Sequence, residues 1–325
     1  MTDRSLLTLE DVHDAREAIA GRVHRTPLFT SATLGKRLGV QAYLKAELFQ
    51  RTGSFKLRGV LSKLASLDEA QKACGVIGVS AGNHAQALAY GAALEGIDCL
   101  VVMWETASAQ KVAATRAYGA RVDLAASGPE DAFERLAELR AETGRTFVHP
   151  FDDPHVIAGQ GTVGLELLED LPELDLVVCP VGGGGLIAGI ATVIKAERPQ
   201  ARVVAVEPER SPALHEALRA GHSVRVRPTS VADGLSAPFA GELPLAICRE
   251  RVDGLILVTE DEIRDAMRFL YERAKLACEP AGAVATAALL AGKVASEPGE
   301  AVVSVVSGGN VATQTASAIL GDDEV

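Results

Sequence analysis

The hexapeptide Ser54-Phe55-Lys56-Leu57-Arg58-Gly59 decides how the rest of the chain is read. Gly53 and Ser54 read as a loop and a helix N-cap, which places Lys56 in the first turn of an apolar-periodic helix. A lysine is electrostatically misplaced there. The helix N-terminus carries partial positive charge, Arg58 adds a full one, and both favour the neutral amine. A neutral lysine amine is nucleophilic and can form a Schiff base. A solvated surface lysine is the commoner meaning of such a residue, so the reading turns on its surroundings.

Outward from Lys56 the chain trades helix for strand throughout. On the N-terminal side, Thr8-Leu9-Glu10-Asp11 is a capping box opening a helix to residue 21, followed by a short helix over 31–38 and a strand over 42–48. After the lysine helix come strands over 75–80, 97–103, 121–125 and 146–149, with helices over 84–94, 107–118 and 130–142 between them. The second half repeats the rhythm: helices over 154–171, 186–197 and 213–219, and strands over 176–180, 203–206 and 302–306. Thr259-Glu260-Asp261-Glu262 is a second capping box, for a helix through 275, while the polar, proline-containing stretch 225–238 reads as loop. This alternation predicts parallel sheets with crossover helices. The acidic end, 321–325, is expected to fray.

Ligands of open α/β sheets bind in the crevice at the strand ends. Val181-Gly182-Gly183-Gly184-Gly185 follows a strand and opens a helix, so its backbone amides and the helix dipole suit a phosphate. The same loop admits a second reading. Gly183, Gly185 and Ala188 satisfy the dinucleotide fingerprint, and Glu207 ends the next strand where a ribose-binding acid is expected, as in a nicotinamide-dependent oxidoreductase. That reading leaves Lys56 and two further loops without a task. Ser80-Ala81-Gly82-Asn83-His84 offers amides at a helix N-terminus for a substrate carboxylate, with the Asn83 side chain free to bond a neighbour. Ser307-Gly308-Gly309-Asn310 places a hydroxyl at a strand end, with glycines that admit a flat ligand. Together with an imine-competent lysine, these loops describe a site for an aldehyde-bearing aromatic phosphate.

Composition bounds the alternatives. A chain of 325 residues fits two domains, and 48% hydrophobic against 23% charged residues describes a soluble globular protein. A formal net charge of -11, with no basic run, argues against nucleic acid or an anionic membrane as partner. Cys74, Cys99, Cys179, Cys248 and Cys278 form no CxxC pair and read as reduced, buried thiols. With no signal-like N-terminus and no long apolar span, a cytoplasmic protein is expected.

The segments around Lys56, Ser80-Ala81-Gly82-Asn83-His84-Ala85-Gln86, the tetraglycine loop and Ser307-Gly308-Gly309-Asn310 occur in one order along the whole chain. In this combination the chain resembles the fold-type II pyridoxal-phosphate enzymes, in particular the threonine/serine dehydratase and serine racemase group. The resemblance implies two open parallel-sheet α/β domains with the cofactor in the cleft between them. Residues 1–70 and 150–325 would form the large domain and 71–149 a small mobile one. It implies that Lys56 holds pyridoxal 5'-phosphate as a Schiff base, with Phe55 against the ring, Gly234 over its other face and Asn83 on its phenolic oxygen. Gly182, Gly183, Gly184, Gly185 and Leu186 would hold the phosphate, and Ser307 would face the pyridine nitrogen. Ser80, Ala81, Gly82, Asn83 and His84 would meet the substrate. A serine cannot protonate the pyridine as an aspartate would, so the ring is a weaker electron sink, which favours prompt loss of a β-leaving group. The implied reaction removes the Cα proton with the freed Lys56 amine, expels the β-hydroxyl and ends in a 2-oxo acid and ammonia.

Departures from the group's pattern narrow the expectation. Ala81 stands where racemases similar to this chain carry a proton-donating serine, so racemisation should be weak. The group's divalent cation site would begin at Glu207, near the Ser211 carbonyl, but Ala213 replaces a further carboxylate, which counts against a metal. The expected activity is L-threonine/L-serine dehydration by a homodimer, with selection of the substrate side chain around Phe151, residues 236–239 and Glu279. Dehydratases of 3-hydroxyaspartate, phenylserine or the hydroxyectoine pathway are the neighbouring alternatives.

Overall fold

The computed structural model describes residues 6–321, so the expectation for 322–325 lies outside the described residues. Ten strands are described: β1 (Leu28–Thr30), β2 (Gln41–Ala46), β3 (Val76–Val79), β4 (Cys99–Trp104), β5 (Arg121–Ala126), β6 (Thr146–Phe147), β7 (Leu176–Pro180), β8 (Arg202–Pro208), β9 (Gly254–Val258) and β10 (Ala301–Val306). They form a six-stranded sheet in the order β1-β2-β10-β7-β8-β9 and a four-stranded sheet in the order β5-β4-β3-β6. All neighbours pair in parallel except β1 with β2. The smaller sheet is drawn from residues 76–147 alone, and the larger takes strands from both sides of that stretch. This is the two-domain parallel α/β architecture that the alternating pattern and the family resemblance predict.

The central strands read as nearly continuous apolar runs because helices cover both faces. Leu176–Pro180 and Ala301–Val306 are buried at every position. Both capping boxes form, at Thr8 with Asp11 and at Thr259 with Glu262. The helix predicted to reach residue 275 stops at Phe269 and continues as a π-helical turn, Leu270–Ala274, closed by Lys275 at φ 59°.

Two helices that periodicity leaves unassigned have identifiable causes. Glu242–Arg251 is started from outside itself, since the Asp152 carboxylate accepts from the amides of Glu242 and Leu243 at 3.1 and 3.0 Å. Pro280–Leu290 is alanine-rich and buried around nearly its whole circumference, so it shows no polar stripe.

The lysine helix, Lys56–Ala65, is set by close backbone contact. A Cβ on Gly59 would fall 2.5 Å from the Val156 carbonyl, and one on Gly159 would fall 2.5 Å from that of Arg58, both in helix-to-helix contact with Pro154–Asp170. Only glycine permits this approach. Leu57, Val60, Leu61 and Leu64 then pack into the core beneath the smaller sheet. Truncating one such leucine to alanine typically costs about 2–5 kcal/mol.

The same helix carries a fully buried guanidinium. Arg58 donates to Glu47 through Nε and Nη2 at 2.9 Å each, and to Glu166 at 2.6 and 2.9 Å. Lys45, also fully buried, donates to Glu166 at 2.6 Å and to the Thr26 carbonyl at 2.8 Å. Two cations face two carboxylates, so the cluster is neutral and its donors are satisfied. These four charges come from separate parts of the chain, and each reads in sequence as an ordinary surface residue.

Candidate active site

The helix begins at Lys56 itself, with Phe55 at its N-cap position in helical conformation and no side-chain cap. Ser54 is therefore not the N-cap that its residue type predicts. It forms a bridge with Gly308, and its buried hydroxyl has no hydrogen-bond partner. The Phe55 amide donates to the Ser307 carbonyl at 3.2 Å, and the Gly309 amide donates to that of Gly53 at 2.9 Å. Backbone pairing thus ties the lysine turn to the end of β10.

Lys56 Nζ donates to the Pro150 carbonyl at 2.8 Å and lies 5.1 Å from the centre of the Phe55 ring. Burial pulls its ammonium down to about 8, against the opposing attraction of the Glu279 carboxylate. The depressed basicity was expected, but its cause is desolvation and not Arg58. Burial works against the Arg58 cation too, yet Glu47 and Glu166 outweigh it and raise its pKa.

The tetraglycine loop adjoins this lysine through one segment. Phe151 follows the carbonyl that accepts from Lys56, and a Cβ on Gly183 would overlap its ring. A Cβ on Gly182 would meet the Leu235 backbone at 3.1 Å. Gly184 takes φ +94° as the residue before the helix Gly185–Glu197. Among the described residues the amides of 182–186 donate to no acceptor. Five free amides at a buried helix N-terminus form a cradle for a phosphate dianion.

The remaining loops converge on Asn83, the first residue of the helix Asn83–Glu95. Its Nδ2 donates to Glu279 Oε1 at 2.6 Å, and its Oδ1 accepts from Asn310 Nδ2 at 2.8 Å. The side chain expected to be free is thus already engaged at both ends, with one N–H left over. Ser80 Oγ accepts from the Gly82 amide at 3.0 Å, shaping the turn through Ala81. His84 turns away: Nε2 meets the Val148 carbonyl at 2.9 Å, and burial holds the ring down to about 3. Its buried Nδ1 has no hydrogen-bond partner. Ser307 is buried, with Oγ 3.5 Å from the Ala281 carbonyl. Gly234 lies against Ala281 and Glu279, a Cβ there falling 2.9 Å from the Ala281 methyl.

Glu207 does not join the site. Both carboxylate oxygens accept amides at the start of the helix Ala213–Ala220, from Leu214 at 2.7 Å and His215 at 2.8 Å. It is fully buried, and burial pushes it up to about 8 against those two amides. Fully buried against that helix start, Glu207 is out of reach of a ribose hydroxyl, which counts against the dinucleotide reading. Ser211 Oγ donates to the Leu235 carbonyl at 2.9 Å, and no group of three or more His, Cys, Asp or Glu side chains gathers among the described residues.

Comparison with known proteins agrees with this geometry. Residues 19–308 match the family described as pyridoxal-phosphate dependent enzyme. The chain belongs to that family. Among similar pyridoxal-phosphate dependent enzymes, the L-threonine ammonia-lyase of Thermotoga maritima is 44% identical over 308 residues, covering 94% of this chain and 76% of that one. The catabolic L-threonine dehydratase TdcB of Escherichia coli K12 is 44% identical over 317 residues, 97% of this chain and 96% of the other. Maize serine racemase superposes with a TM-score of 0.91 at 37% identity, covering 95% of each chain. The T.th. threonine deaminase superposes with a TM-score of 0.87 at 42% identity, covering 94% of this chain and 99% of that one.

The residues present fit the family's cofactor: a desolvated amine for its aldehyde, and unpaired amides with a glycine cradle for its phosphate. Sequence reasoning missed Pro150 and Asp152, whose parts are played by a carbonyl and a helix cap that carry no motif. A pH prediction follows from Lys56. Attack on an aldehyde requires the neutral amine, so the rate at which apoenzyme takes up cofactor should rise with pH and level off above about 8. Stopped-flow absorbance checks this, and a rate still climbing to an ordinary lysine pKa near about 10.4 would contradict it.

Proposed function

We propose that the protein is an L-threonine/L-serine ammonia-lyase that releases 2-oxobutanoate or pyruvate together with ammonia. The observation that carries this reading is the half-buried Lys56 amine, donating to the Pro150 carbonyl at 2.8 Å, at the point where four loops meet. When bound, pyridoxal phosphate supplies a sink for the electron pair left at the substrate Cα. The rest falls to the chain. The amides of 182–186 would hold the phosphate, Asn83 would meet the ring oxygen, and Phe55 and Gly234 would flank the ring. Ser307 would offer the ring nitrogen a hydroxyl, which accepts or donates a hydrogen bond but does not protonate it. The turn 80–84 receives the substrate carboxylate. The Lys56 amine, when free, would take the Cα proton as general base.

Ala81 has no proton to give to the opposite face of Cα, so elimination should prevail over racemisation. The helix Ala109–Ala117 reaches the larger unit through an ion pair between Lys111 and Asp233, next to Gly234. This contact supports a small domain, 71–149, that closes on the substrate over a large one formed by 1–70 and 150–325. The proposal extends to a cytoplasmic homodimer, and the cysteines are free thiols, as a reducing compartment would leave them. No helix of the described residues is long and apolar enough to cross a membrane.

A panel of L- and D-3-hydroxy amino acids, scored for ammonia and 2-oxo acid, tests the reading. L-Threonine and L-serine should be turned over, with D-serine formation from L-serine at least roughly tenfold slower than elimination. Turnover of 3-hydroxyaspartate or phenylserine alone would move the substrate while keeping the cofactor chemistry. A colourless protein inert to the whole panel would overturn the proposal.

A further inference from the structure

Glu279 is an acid that the reaction just described does not use. It is 3% exposed, at the N-terminal end of Pro280–Leu290, with its amide donating to the Gly308 carbonyl at 3.1 Å. Its Oε1 takes one Asn83 N–H at 2.6 Å, while Asn310 Nδ2 donates to Asn83 Oδ1 at 2.8 Å and to the Thr52 carbonyl at 2.8 Å. A carboxylate oxygen can only receive from the nitrogen end of an amide, and an asparagine N–H can only give to its oxygen end. The two contacts therefore fix both the plane of the Asn83 amide and which end is which. One N–H remains, and its direction is no longer adjustable.

The carboxylate is itself held. A Cβ on Gly308 would overlap Oε1, and one on Gly234 would lie 3.4 Å from it, so two glycines press their backbones against it. Asn83 follows β3 of the smaller sheet, whereas Glu279 and Asn310 flank β10 of the larger. The charged and titratable groups around it are Lys56, Asp233, Lys111 and the Cys278 thiol. Burial, with Asp233 adding, pushes Glu279 up to about 7 against Asn83, Lys111 and Lys56. Either ionisation state leaves an oxygen able to accept from Asn83.

We infer that Glu279 is a positioning residue that aims the remaining Asn83 N–H at the ring oxygen of the bound cofactor while joining the 80–83 loop to the larger sheet. This rests on the contact proposed above between Asn83 and that oxygen. The role belongs to the acceptor oxygen and not to the negative charge, which separates two conservative variants. Glu279→Gln keeps an oxygen at the same reach, whereas Glu279→Asp keeps the charge and withdraws the oxygen.

The test uses holoenzyme and its apo form. Visible absorbance of the bound cofactor, its Kd by fluorescence titration, and kcat and KM for L-threonine are compared across the variants. Glu279→Gln should match the parent spectrum, with Kd within about threefold, and Glu279→Asp should shift the absorbance and weaken cofactor binding by roughly tenfold, as loss of one buried hydrogen bond implies. Asn310→Ala, which releases the opposite end of Asn83, should shift the spectrum in the same direction and serves if the aspartate variant does not fold. A parent-like Glu279→Asp or Asn310→Ala overturns the inference, as does a Glu279→Gln as impaired as the aspartate, which would assign the effect to charge. If the parent protein itself takes up no cofactor, the cofactor reading fails and not this refinement, in which the parent is yellow.

Discussion

Lys56→Ala should abolish turnover, lowering kcat by at least about 10³-fold, while leaving the fold intact. The side chain makes one polar contact, to the Pro150 carbonyl, and its amine is desolvated to the point that its pKa falls to about 8. Removing such a group relieves a burial cost, so the melting temperature should hold or rise. What disappears is the base at Cα and the covalent tether. The amides of 182–186 remain, so the variant should still bind the cofactor, more weakly and reversibly, and dialyse colourless. Kinetics with L-threonine, a melting curve and dialysis check the three parts together. A variant that keeps a tenth of parental kcat would contradict the assignment.

Arg58→Met should produce the largest loss of stability, roughly 3–5 kcal/mol. The guanidinium is fully buried, and the substitution leaves Glu47 and Glu166 facing each other with only Lys45 to compensate. The penalty comes from orphaned carboxylates and not from lost attraction, so it should be partly reversed by a second change. Adding Glu47→Gln to Arg58→Met should recover a measurable part of the loss. Denaturant unfolding of the two single variants and the double one provides the cycle. Because Glu166 lies below the normal carboxylate range in the parent, with burial outweighed by Arg58 and Lys45, this contribution is present at neutral pH and should fade as pH falls through its depressed pKa. A loss under about 1 kcal/mol for Arg58→Met would show that the cluster relaxes or hydrates freely.

Much of this architecture was legible in the chain because its signals are local. Buried parallel strands announce themselves as apolar runs, as at Leu176–Pro180, and the loops that follow them carry glycines. Family likeness then united loops that are ambiguous one at a time. What could not be read depends on distant partners. Ser54 has the composition of an N-cap, yet pairing with Gly308 across the site takes it out of that role. Glu207 sits at the right offset for a nucleotide acid, but a helix start folds onto it and buries it completely. Arg58 was expected to act on Lys56 by charge, and the acids that neutralise it lie 11 residues before and 108 residues after it. Glu279 looked like one of several residues near the substrate, and only the structure shows its oxygen on Asn83.

The central claim is a covalent bond between the cofactor aldehyde and one amine among the lysines of this chain. Reducing the holoenzyme with borohydride, digesting it and mapping the modified peptide by mass spectrometry tests that claim most directly. The result predicted is a single adduct, on Lys56. An adduct on Lys45, Lys63 or any other lysine, or none at all, would contradict the account.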